Sequence, residues 1–321
     1  MAELSDQLLV VTVLAYLVAM ICHAAEYAFG TKSHIGRAAL RPERELVMSG
    51  GPALVEKSSD PVAEAPNPWR SVLIGRAAVA LTGLAAAAHI GTLITRGIAA
   101  ERVPWGNMYE FILSATFIGI AAWLVVLVRW PNLRHLGLFV ALFQVLLLGV
   151  AGMVAYTPVG PLVPALDSAW FIVHIAAVST SSGIFLLGAV PAVLYLMRAG
   201  YEKGKRSFPY TLAKNVPAAA ALERLTFRLH AFAFPIWTFG ALIAGPIWAE
   251  ASWGRYWGWD PKEVWAFISW IVYAGYLHAR ATPSVKRNVA TWIAIIGFLT
   301  MLMNLFGVNL FFGGLHSYAD V

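Results

Sequence analysis

The chain has 321 residues, of which 59% are hydrophobic and only 12% charged, with a mean hydropathy of +0.68. A disordered chain is excluded, since disorder needs low hydrophobicity and high charge, and Cys22 as the only cysteine excludes a disulfide scaffold or a paired-thiol relay. The net charge of +6 does not call for a nucleic-acid partner, because the basic residues follow a membrane topology.

A helix rises 1.5 Å per residue, so about 20 apolar residues cross the hydrocarbon of a bilayer. Eight such runs, bounded by charge or proline, lie at approximately 7–29, 72–95, 108–128, 135–155, 170–197, 229–248, 261–280 and 288–308. They predict an all-α, polytopic membrane bundle of about eight transmembrane helices, a single integral membrane domain over 1–321. The first run is too long, and preceded by too little basic charge, to be a cleaved signal peptide. The seventh is the shortest and the richest in aromatics. No repeat is evident, so the pattern is not that of an inverted-repeat transporter.

Lysine and arginine set the orientation. With the N-terminus outside, the inner segments 30–70, 129–134, 198–228 and 280–287 hold 6, 2, 7 and 3 of the 23 basic residues. Arg96, Arg102, Arg255 and Lys262 lie outside, and Arg76 falls within the second run. Both termini are therefore expected on the outer, extracytoplasmic side, with 30–70 and 198–228 as cytoplasmic loops. Gly50-Gly51-Pro52 and the prolines from Pro61 to Pro68 mark the first loop as poorly structured.

Unusual residues gather in the outer segments. Asn107 and Glu110 fit an N-cap and its acidic partner at the start of the third helix. Between the sixth and seventh runs, Trp248, Trp253, Trp257, Trp259 and Trp265 place five tryptophans in 18 residues, centred on the segment 249–265. A membrane-interface belt needs only scattered Trp and Tyr. Here they stand beside Gly254 and Gly258, a pattern suited to a flat, close-approach aromatic platform for a planar ligand. Asp260, Pro261 and Glu263 read as N-cap, N1 proline and N3 acid of the seventh helix.

The stretch Trp253-Gly254-Arg255-Tyr256-Trp257-Gly258-Trp259-Asp260-Pro261-Lys262-Glu263 resembles the tryptophan-rich "WWD" signature of haem-handling proteins in cytochrome c biogenesis. The continuation from Trp265 and Trp270 to Tyr276-Leu277-His278-Ala279-Arg280, and the ending Gly314-Leu315-His316-Ser317-Tyr318, resemble the CcsA/ResC family, the haem-binding half of the System II cytochrome c synthase. The resemblance runs from about residue 85 onward and includes Asn107-Met108-Tyr109-Glu110.

It implies that haem b is the transported substrate, held on Trp253, Trp257, Trp259, Asp260 and Trp265. His174 and His316 would be its external iron ligands. His174 lies four residues after Trp170 on one helix face, and His316 follows Gly313-Gly314, which let the chain bend back. Arg255 and Lys262 are candidates for the haem propionates, ahead of Arg76 and Arg96, for which snorkelling to the interface is the plainer reading.

His278 lies 15 residues past Glu263, roughly 22 Å deeper on a straight helix, so one haem cannot reach both places. The resemblance makes it an intramembrane haem ligand, opposed by a ligand from a ResB/CcsB-type membrane subunit. His89 is the internal competitor, with helix packing as its plainer reading, and His23 reads as a polar pair with Glu26. His34, His135 and His230 read as interfacial.

The implied function is haem export and presentation at the outer face, where the two thiols of an apocytochrome c Cys-x-x-Cys-His motif form thioether bonds to the haem vinyls, with a thiol-reducing partner. As part of a haem lyase complex the chain would supply positioning and no nucleophile. The membrane is expected to be the bacterial plasma (inner) membrane, with the thylakoid as alternative. The rival reading is a b-type electron-transfer protein, which needs facing histidines at matching depth; a plain transporter without haem is the second rival.

Overall fold

A computed structural model describes residues 1–29 and 68–316. The expected loop at 30–70 falls outside the described residues except where the second helix begins, as do His34, Ser317 and Tyr318. Among the described residues the chain is helical throughout, in eight long helices: α1 (Ala2–Phe29), α2 (Pro68–Ala100), α3 (Met108–Arg129), α4 (Gly137–Met153), α5 (Ala169–Glu202), α6 (Ala219–Trp253), α7 (Pro261–Ala281) and α8 (Arg287–Phe311). Two are interrupted by a π-turn, Gly240–Ala244 in α6 and Met303–Gly307 in α8.

The eight helices stand at the eight expected runs. Seven are long and apolar enough to cross a membrane; α7 has the length, 21 residues, but carries Lys262, Glu263, His278 and Arg280 among its aromatics. Helix α6 begins ten residues before the run that announced it. Its first turns bury Leu222 and Leu225 while Arg224 and Arg228 face outward, so a hydropathy window misses an amphipathic start. The expected cytoplasmic loop 198–228 is correspondingly shorter, and its first residues belong to α5.

Helix α1 packs on α2, α3 on α5, α5 along α6, and α7 against α6 and α8. The tightest crossing is at Gly119 of α3 and Gly183 of α5, where a Cβ on Gly183 would stand 2.3 Å from the carbonyl oxygen of Ala115. Without a hydrophobic drive between helices in lipid, such small-residue contacts and their close packing hold a bundle together.

Several buried polar groups are paired across helices. His23 bonds Thr82 at 3.3 Å and Glu26 pairs with Arg134 at 2.5 Å, so the expected His23–Glu26 pairing gives way to two contacts reaching neighbouring elements. Arg280 pairs with Glu223. His230 is not interfacial: it is fully buried between Phe185, Tyr273 and Tyr276, with its Nδ1 on the Thr226 carbonyl at 2.8 Å.

The start of α1 and the tail after α8 lie at the same end of the bundle. Ser5 donates to the Thr92 carbonyl, and Asp6 accepts from Tyr156, which packs on Tyr109 at the head of α3. The heads of α3, α5 and α7, the close of α6 and the tail all converge there.

Candidate functional site

At that end a cleft of about 150 Å³ opens between α3, α5, α6, α7, α8 and the tail. Its walls are mostly apolar and aromatic: Trp105, Phe111, Phe171, Trp237, Trp248, Trp253 and Trp257. Two imidazoles, an amine and a carboxylate stand among them: His174, His316, Lys262 and Glu263.

His174 is set by α6 rather than by its own helix. Its ring stacks on Trp248 with centroids 5.5 Å apart and an interplanar angle of 14°. Its Nδ1 donates to the carbonyl of Gly240 at 2.8 Å. That carbonyl opens the π-turn, where the i→i+5 pattern displaces a backbone oxygen from ordinary helical pairing, a geometry often met at functional sites. Gly245, five residues on, lies directly beneath: a Cβ there would stand 3.1 Å from the His174 ring. With Nδ1 so engaged, Nε2 is the nitrogen through which the ring can carry a metal.

His316 comes from the tail and is set by α7. Its Nδ1 bonds the Asp260 carboxylate at 2.8 Å, and its ring meets Trp253 and Trp248 edge-on at 5.1 and 5.8 Å. The two histidines therefore both touch one indole, Trp248, which is itself fixed by its N–H on the Ala165 carbonyl. Asp260 does three tasks at once. It caps α7 through the Lys262 N–H in a capping box completed by Glu263, accepts the Leu315 N–H at 2.7 Å, and orients His316. Gly314 makes this approach possible, since a Cβ there would lie 2.4 Å from Asp260 Oδ2. A carboxylate on one nitrogen of an imidazole is the arrangement by which proteins orient metal-binding histidines.

Burial by itself raises the Asp260 pKa, but the hydrogen bond and charge of His316, and then the Leu315 and Lys262 N–H groups, outweigh it and hold the carboxyl below its ordinary range. The folded-state value lies below the unfolded one, so this carboxylate contributes stability above about pH 3.9 and loses it as pH falls through the folded value. Asp260→Asn preserves a good N-cap and removes the charge. Thermal unfolding in detergent should show a gap between wild type and Asp260→Asn that stays open down to about pH 4 and closes below it. A gap that closes between pH 7 and 5 would contradict this role.

The other residues expected from sequence fall into two groups. Trp253, Trp257 and Lys262 line the cleft with the two histidines, and the Lys262 ammonium donates to the Asn304 carbonyl at 2.8 Å. Trp259, Trp265 and Arg255 do not line it. Trp259 is 65% exposed, turned out by a left-handed backbone (φ 59°), and meets Trp257 and Phe267 edge-on. The Arg255 guanidinium lies in the notch left by Gly258, in the very space a Cβ would take, which explains the glycine between Trp257 and Trp259. Arg96 does not snorkel: 1% exposed, it pairs with Glu110 at 2.9 Å. Glu110 in turn binds Arg102 and the Gly106 N–H, while Asn107 alone caps α3.

His278 is exposed on α7, far from the cleft. His89 is fully buried between Tyr16 of α1 and Phe117 of α3, so these two histidines are not brought face to face. Sequence reading overlooked Trp237, Trp248 as the shared indole, and the two π-turn carbonyls. Gly240 and Gly245 were the available signal, but five residues apart on an α-helix they do not share a face; only the π-turn aligns them.

The family model described as Cytochrome C assembly protein matches residues 105–316, a span that begins and ends on this cleft. A relative from Guillardia theta named cytochrome c biogenesis protein CcsA is 34% identical over 240 residues, covering 70% of this chain and 79% of its own. One of the same name from Synechocystis is 30% identical over 308 residues, covering 79% and 90%. Among solved structures, a chain titled cytochrome c heme lyase CcmF is similar in fold, with a TM-score of 0.62 at 16% identity over 95% of this chain, which spans 46% of its length.

Proposed function

The chain belongs to the Cytochrome C assembly protein family, and from that premise we propose that it holds haem b in the cleft and presents it to apocytochrome c. The observation that carries this reading is the pair His174 and His316, set by different elements and both in contact with Trp248, each with Nδ1 held by protein. Two imidazoles over an apolar, indole-lined cleft suit a metal that arrives with its own planar ring of donors. Haem is the substrate here, and the protein's part is to bind, orient and shield it.

Attachment is then addition of each apocytochrome thiol S–H across a haem vinyl double bond, giving a thioether with no group left over. The chain brings no nucleophile to this step. The cleft end of the bundle, where α1 begins and α8 ends, is the extracytoplasmic side. The membrane is the bacterial plasma (inner) membrane. Haem arrives from the opposite side by way of His278, whose exposure on α7 suits a ligand shared with a ResB/CcsB-type subunit packed on that face. A thiol-reducing partner keeps the apocytochrome cysteines available.

The visible spectrum of the purified full chain with its partner subunit tests the reading. His174→Ala and His316→Ala are each expected to lose the low-spin, bis-histidine signature of the outer haem and to regain it on adding imidazole. His278→Ala is expected to lower total haem while leaving the outer ligand pair able to bind haem supplied externally. Normal spectra in all three variants would refute the ligand assignment.

A further inference from the structure

The cleft carries one basic side chain whose hydrogen-bond contacts are all neutral. Lys262 sits at the second position of α7, and its ammonium lies between the Asn304 carbonyl at 2.8 Å and the Met108 sulfur at 3.8 Å. Among the described residues no carboxylate comes within ion-pair distance of it: Asp260 is taken by His316, Leu315 and its own cap, and Glu263 by the Gly258 and Asp260 N–H groups. Asn304 belongs to the π-turn of α8, as Gly240 belongs to that of α6. Both turns thus offer a carbonyl to a cleft side chain of a neighbouring helix, at the same 2.8 Å. One orients an imidazole; the other holds an ammonium at the wall formed by α3, α7 and α8.

A carboxylate placed against this amine would replace the weak sulfur contact with a charge-assisted hydrogen bond. We propose that Lys262 is the anion-recognising group of the cleft, binding a carboxylate on the edge of the planar substrate, and that the Met303–Gly307 π-turn is what holds its ammonium there. This rests on the haem reading above and adds to it a rule of selection: the substrate is recognised by its ionised propionate as well as by its iron. Arg255, packed into the Gly258 notch, is left outside that role.

The test is binding of iron protoporphyrin IX and of its dimethyl ester to the full-length protein in detergent, followed by the low-spin spectrum. Wild type is expected to prefer the diacid by about ten- to a hundredfold, the range of one charge-assisted hydrogen bond. In Lys262→Met the preference should fall to about one while the bis-histidine spectrum persists, and Lys262→Arg should restore part of it. A wild-type protein that binds both porphyrins equally, with a normal low-spin spectrum, overturns the proposal and leaves the haem reading standing. A diacid preference unchanged in Lys262→Met does the same. Absence of the low-spin spectrum with either porphyrin in wild type overturns both.

Discussion

Glu110→Ala is expected to be the most destabilising single substitution in the described part of the chain. The carboxylate is fully buried and gathers Arg96 at 2.9 Å, Arg102 at 2.7 Å and the Gly106 N–H at 2.7 Å. Its removal leaves one arginine that is 1% exposed and a second at 11% with no counter-charge, the situation that costs about 3–5 kcal/mol when one member of a buried ion pair is deleted. The damage reaches the cleft, because the braced loop carries Trp105, Gly106 and Asn107 on its wall. Glu110→Gln should recover part of the loss, since the amide oxygen still accepts but the charge is gone. Replacing Arg96, Arg102 and Glu110 together by apolar residues should cost less than Glu110→Ala alone. Reversible unfolding in mixed micelles compares the four proteins; a Glu110→Ala variant within 1 kcal/mol of wild type, a threshold set at roughly the worth of one ordinary hydrogen bond, would show that water reaches the arginines.

Gly183→Ala should follow closely. The new Cβ would stand 2.3 Å from the Ala115 carbonyl oxygen, 2.9 Å from the Gly119 nitrogen and 3.1 Å from the Ile118 Cβ. Two of those three atoms are backbone, so no side chain can swing aside and α3 must move off α5. Overpacking of this kind costs about 1–3 kcal/mol, at the upper end where a helix axis must shift. Gly149→Ala, where a Cβ meets nothing within 4 Å, is the control and should leave stability unchanged or slightly improved. Since α5 carries His174, a displaced α5 should also weaken haem retention in Gly183→Ala. Full retention of both stability and haem would mean that the α3–α5 crossing is looser than the Gly119–Gly183 contact describes.

What the sequence made legible and what it concealed divide along a physical line. Runs of apolar residues write the helices directly, because each must bridge the same thickness of hydrocarbon. The capping box at Asp260 and Glu263 was equally plain, since its residue types and spacing are local. The amphipathic start of α6 was lost because only one of its faces is apolar. Long-range partners were lost for a different reason: Asp260 and His316 are 56 residues apart, and nothing near either announces the other. The π-turns were hidden most thoroughly. Inserting one residue into a helix leaves its composition unchanged while rotating all that follows, so the alignment of Gly240 with His174 and of Asn304 with Lys262 exists only in three dimensions. Within the tryptophan-rich segment, sequence could not rank the indoles. Trp259 and Trp265 read as well as Trp253 and Trp257, yet a left-handed residue turns Trp259 outward.

The two jaws about Trp248 differ in compliance. One ring is borne by α5 and pinned to a second helix, so displacing it means bending the scaffold. The other hangs on five residues beyond the last helix, and Asp260 accepts a bond from its neighbour Leu315 as well as from its own ring. A grip built this way has a direction. On the proposed reading, a ligand held between the two jaws would be released first on the pliant side.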